Sequence, residues 1–191
     1  MRNLIRLTAM AGATAGTLVL VGGVASAATP APHLQDYYSV KVTRTVSEGL
    51  TGQPVGQTGQ EPWRVKNSCT TTTPTTCTTL LLWTGLSGKL YQYKSTLTQD
   101  IAHKKPLHYT SAHTFLQTCR GHKGAKIAQG WSVKQTINIV GSTVRSTDKV
   151  ITKFNSTIST TYTPTPLGAG GGCIAAKEVL TGAGVSVPAP A

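Results

Sequence analysis

The chain has 191 residues, with 18 Lys and Arg against six Asp and Glu, a formal net charge of +12. Six dispersed carboxylates leave little to build the paired acids of a glycosidase. A cationic balance favours anionic polymers, acidic proteins or headgroups as partners. One domain with a sizeable core fits this length.

Residues 1–27 read as a signal peptide. Arg2 and Arg6 precede an apolar run from Leu7 to Val24, and Ala25-Ser26-Ala27 is the small-x-small pattern that signal peptidase cuts. The expected product is secreted and extracellular, begins near Ala28, and carries all four cysteines where oxidation is permitted. No later apolar run reaches transmembrane length.

Residues 28–36 open with ATPAPHLQ, and proline fixes φ and biases its predecessor toward extended geometry. This predicts an extended N-terminal arm. Tyr38, Val40, Val42 and Val46 then alternate with polar residues, a strand with one wet face, whose apolar side Arg44 interrupts. Residues 47–62, rich in Gly, Gln and Pro, are expected as a flexible loop. Trp63 to Cys69 and Thr78 to Thr84 read as strands around a threonine tract with Pro74, and Gly85 to Gly88 as a turn before the alternating Leu90 to Leu97.

Gln99 to His103 and Ser111 to Thr118 each suit a helical turn or two, broken by Pro106. Trp131, Val133, Ile137 and Ile139 alternate strongly, and Gly141-Ser142 can form a two-residue turn. The run from Thr143 to Tyr162 is too long for one straight strand and predicts a bend near Asp148. TPTPLGAGGG reads as a break without secondary structure, Cys173 to Leu180 as helical, and residues 183–191 as a flexible tail. Short strands at close spacing predict an all-β, mainly antiparallel domain over 37–182. It would be a single sandwich or small barrel with minor helical turns and disulfides.

Four cysteines allow three pairings. Cys69 and Cys77 enclose a short loop between strands, which favours a local bridge and leaves Cys119 for Cys173. No C-x-x-C occurs, and His103, His108 and His113 recur every five residues, a period of neither helix nor strand. Zinc therefore requires a loop to gather them; no metal or cofactor is expected. Nucleophile-elbow, H-E-x-x-H, P-loop and dinucleotide fingerprints are absent. Lys and Arg are scattered, with no basic stripe for specific nucleic-acid recognition. A basic nuclease or hydrolase would have to use His108, His113 or His122.

With so little for chemistry, the chain reads as a non-enzymatic binding protein. His33, Leu34, Tyr37 and Tyr38 are the expected contact residues, because an extended arm can add to a partner's sheet edge. The signal peptide, the arm at His33 to Tyr38 and one disulfide-bridged β domain together resemble the small adaptor subunit of secreted actinobacterial umbrella toxin particles. That resemblance implies docking between a lectin-bearing protein and a large toxin scaffold. Other secreted proteins in a hetero-complex, and anionic cell-surface polymers, are the expected partners. A secreted protease inhibitor, with the Cys69–Cys77 loop as reactive site, is the alternative; length and cysteine spacing depart from the subtilisin-inhibitor pattern.

Overall fold

Alternating side chains build eight strands in the computed structural model, which describes residues 31–69, 77–84, 93–100 and 105–189. They are β1 (Asp36–Glu48), β2 (Thr58–Cys69), β3 (Cys77–Trp83), β4 (Tyr93–Asp100), β5 (Lys105–Arg120), β6 (Lys126–Val144), β7 (Ile151–Pro164) and β8 (Ala176–Val187). Each pairs antiparallel with the next, and β8 returns to pair with β1. Of the two architectures expected, the chain adopts the barrel, and closure leaves no sheet edge exposed as a template for other chains.

The period of two decides which side chains enter. Val40 and Val42 of β1, Trp63 of β2, Leu81 of β3 and Ile137 and Ile139 of β6 are buried in one core cluster. Between them, Lys41, Lys134, Thr136, Asn138 and Thr157 point outward. A mostly polar exterior, broken by single aliphatics such as Leu116, Val140 and Val185, around an apolar interior differs from the continuous apolar band of a lipid-spanning barrel. Among the described residues no helix is long and apolar enough to cross a membrane.

Several elements differ from the sequence reading. The loop expected over 47–62 shrinks to 49–57, because Thr58 already pairs with Thr43 and Glu61 with Val40. Ser111 to Thr118 is strand, since β6 supplies a ladder partner from Ser111 opposite Ile137 to Gln117 opposite Trp131. Gln99 and Asp100 of the other expected helical turn are the end of strand β4, and residues 101–103 of it lie outside the described residues. Gly141 and Ser142 sit inside β6 at a bulge. The chain reverses instead at 145–150, where Arg145 Nε donates to Asp148 Oδ1 at 2.8 Å.

The TPTPLGAGGG segment holds the one α-helix among the described residues, α1 (Pro166–Gly170), capped by Thr165, whose hydroxyl accepts from the Gly168 N–H at 3.1 Å. Residues from Ala176 onward, read as helix and then tail, form β8 through Val187. Ladders to β7 and β1 on both sides override the helical composition.

The arm is not free. His33 N–H donates to Lys149 O at 3.0 Å and Ile151 N–H to His33 O at 2.8 Å, while Gln99 Nε2 donates to Pro32 O at 2.6 Å. Leu34 is 0% exposed and Tyr38 is 1% exposed, its hydroxyl donating to Ile151 O at 2.7 Å. Residues 31–35 therefore plug one end of the barrel. Leu34 and Tyr38, expected at a partner interface, are core, because packing into the barrel end removes their apolar surface from water. Leu34→Ala should lower the unfolding free energy by about 2–5 kcal/mol in a denaturant titration. No change would mean that the arm frays.

One disulfide joins Cys119 to Cys173 across 54 positions, with Cα atoms 6.1 Å apart. Cys69 and Cys77 are backbone partners in the β2–β3 ladder. Their side chains lie outside the described residues, as does the 70–76 segment expected as an inhibitor loop.

Candidate ligand site at the open end of the barrel

Topology assigns the two ends. Among the described residues, the arm and the 145–150 reversal lie at one, and loop 49–57, the β5–β6 tip and the 165–175 segment lie around the other. At this second end the interior turns polar. Arg44, the residue that interrupts the apolar side of β1, points inward and is 4% exposed. A bulge between Arg44 and Val46 shifts the β1–β8 register there. Arg44 Nε donates to Glu178 Oε1 at 2.7 Å, Nη2 donates to Gln53 Oε1 at 2.9 Å, and Nη1 donates to Gln57 Oε1. The guanidinium is thus paired with a carboxylate and held by three hydrogen bonds within its own chain, as a buried charge requires.

Above this floor lies an open cavity of about 330 Å³. Aromatic rings form much of its wall: Trp83 and Tyr93 stack at 5.4 Å, Phe115 comes from β5, and Tyr162 leans on Trp131 at 5.0 Å. Gln117, Gln135 and Thr160 add hydrogen-bonding groups, with Gln135 Nε2 donating to Thr160 Oγ1 at 3.2 Å. Burial pushes the Tyr162 hydroxyl well above the usual tyrosine range, with the Glu178 charge adding to it, and burial raises Tyr93 in the same direction. Both phenols therefore stay neutral in ordinary conditions and remain hydrogen-bond donors. The volume falls in the range of small-molecule pockets, and the lining is more polar than is usual for them, with Gln53, Gln57, Gln117 and Glu178 set among the rings.

The residues expected from the sequence lie elsewhere. His33, Leu34, Tyr37 and Tyr38 are all at the closed end, where the Tyr37 ring lies 5.1 Å from the Arg64 guanidinium. His108 and His113 occupy β5, His122 the β5–β6 tip, and His33 the opposite end, so the fold does not gather them. Among the described residues no group of three or more His, Cys, Asp or Glu is placed to hold a metal. Ser95 Oγ lies 2.6 Å from Ser111 Oγ and 3.4 Å from His113 Nδ1. With Ser95 5% exposed, this reads as a buried hydroxyl relay tying β4 to β5.

Sequence reasoning missed Trp83, Tyr93, Gln135, Thr160 and Tyr162 as one site, and missed Arg44 with Glu178 as a pair. The available signal was an arginine where a strand's apolar side should continue.

No family model matches the chain, and no curated protein matches it. Among solved structures, the chain is similar to the monomer form of the M. tuberculosis PknI sensor domain, at 12% identity and a TM-score of 0.45, over 84% of this chain and 92% of that one.

Proposed function

We propose that this chain is an exported, non-catalytic binding protein that holds a small uncharged ligand in the open end of its barrel. The observation that carries this reading is the aromatic-walled cavity above the Arg44–Glu178 pair. Because that pair is self-neutralised, the floor of the cavity carries no net charge to draw an anionic guest. A neutral guest with a flat face can stack on the exposed Tyr93 ring, which the buried Trp83 ring backs, and use the Gln117 and Gln135 amides at its edge. With Leu34 and Tyr38 folded into the closed end, docking through the arm would fall to His33 and Tyr37, which are half-buried. Membership of a multi-protein extracellular particle is a narrower form of the same binding role, tested by what co-purifies from culture medium.

The probe is N-phenyl-1-naphthylamine, an uncharged aromatic amine that brightens in apolar surroundings. Its fluorescence should rise on addition of the protein, and Trp83→Ala with Tyr93→Ala should weaken its binding at least about tenfold. No enhancement, or enhancement indifferent to both changes, would remove the cavity as a ligand site.

A further inference from the structure

The open end carries a second feature, independent of what the cavity holds. The three most exposed large aliphatic side chains among the described residues all lie around it: Leu167 (65%) on α1, Ile174 (61%) beyond the helix, and Val55 (60%) on loop 49–57. Leu167 and Ile174 belong to the same piece of structure as the β5–β6 tip. The Cys119–Cys173 disulfide joins them, His122 N–H donates to Gly171 O at 3.0 Å, and Thr165 Oγ1 donates to Gln129 O at 3.0 Å.

That tip is cationic. The register sets Arg120 directly opposite Lys126, and Lys123 sits between them with φ of 52°. Like charges facing each other across a ladder destabilise it, and lysine is a poor residue for a left-handed conformation. No Asp or Glu occurs between Asp100 and Asp148 to compensate. All three cations are exposed. Lys177 is different, because Glu48 is its cross-strand partner.

We propose that the open end docks onto an anionic lipid surface, with Leu167 and Ile174 entering the headgroup layer while Arg120, Lys123 and Lys126 face its phosphates. Charge complementarity selects the anionic surface, and the aliphatic pair beside the charges selects lipid over a soluble polymer, which offers nothing for Leu167 and Ile174 to enter. The polar outer wall keeps the barrel itself in water. The cavity mouth then faces the membrane.

The test uses protein collected from the medium of an exporting host, mixed with phosphatidylcholine vesicles with or without phosphatidylglycerol and then floated on a gradient. Binding should require phosphatidylglycerol and fall as salt rises. Arg120→Gln, Lys123→Gln and Lys126→Gln together should weaken it about 100-fold, and Leu167→Ser with Ile174→Ser about tenfold. Lys149→Gln, at the closed end, should change nothing. Melting curves of these surface variants should not fall below the parent's, and relief of the Arg120–Lys126 repulsion should raise that of the triple variant slightly, which keeps a loss of binding separate from a loss of fold. Absence of binding to phosphatidylglycerol vesicles overturns the proposal. So does binding that survives the Leu167 and Ile174 changes and is fully competed by soluble polyphosphate, which would make the partner a soluble polyanion.

Discussion

Arg44→Ala should lower the unfolding free energy by about 3 kcal/mol, read from the midpoint of a denaturant titration. Truncation leaves Glu178, whose side chain is 13% exposed, without its guanidinium, and frees Gln53 and Gln57 from the groups they accept from. The cost arises from the stranded carboxylate rather than from the net worth of the pair. Arg44→Met combined with Glu178→Leu should therefore recover most of the loss, because two apolar side chains of similar volume need no mutual compensation. The same double variant should remove the polar floor and strengthen binding of the naphthylamine probe. A single variant as stable as the parent would show the pair to be solvated rather than buried.

Removing the Cys119–Cys173 bridge by serine substitution at both positions should cost about 4 kcal/mol, on the chain-entropy model for a loop spanning 54 positions. The effect should be local as well as global. Gly130 lies so close to Cys119 Sγ that a Cβ there would collide with it, and Gly121 meets Gly171 O in the same way. These contacts pack the tip and the α1 segment flush against one another, so the bridge holds a tight interface rather than a slack one. Hydrogen exchange should consequently rise first in 119–130 and 165–175. Equal melting temperatures with and without reductant would contradict the bridge's role.

The all-β class was legible where alternation is strong. Val40 and Val42, and Trp131 through Ile139, announce strands because one face is apolar and the other wet. Barrel closure was not legible, since it depends on β1 meeting β8, the two most distant strands in sequence. β8 itself was read as helix and tail for a physical reason. Gly182 and Gly184 leave gaps in its alternation, and the gaps exist because Ser156 and the Phe154 ring of β7 occupy the space their side chains would take. The pattern that should mark a strand is thus supplied by its neighbour.

The arm misled in the opposite way. Two prolines and no periodicity suggested a segment free to find a partner, and Leu34 found one inside its own barrel. For the site, Arg44 stood out as an interruption, but its partner Glu178 lies 134 positions away and nothing local links them. The aromatic wall is drawn from β3, β4, β5 and β7, one residue at a time, and only the closed topology brings those residues to one end.

The most direct test of the account is a nitrogen–proton correlation NMR titration with the naphthylamine probe. The account predicts shifts concentrated at the indole of Trp83 and at the backbones of Tyr93, Phe115, Gln135 and Tyr162, with the closed-end residues His33, Leu34 and Tyr37 unmoved. Shifts centred on the closed end, or spread evenly over the outer wall, would contradict it.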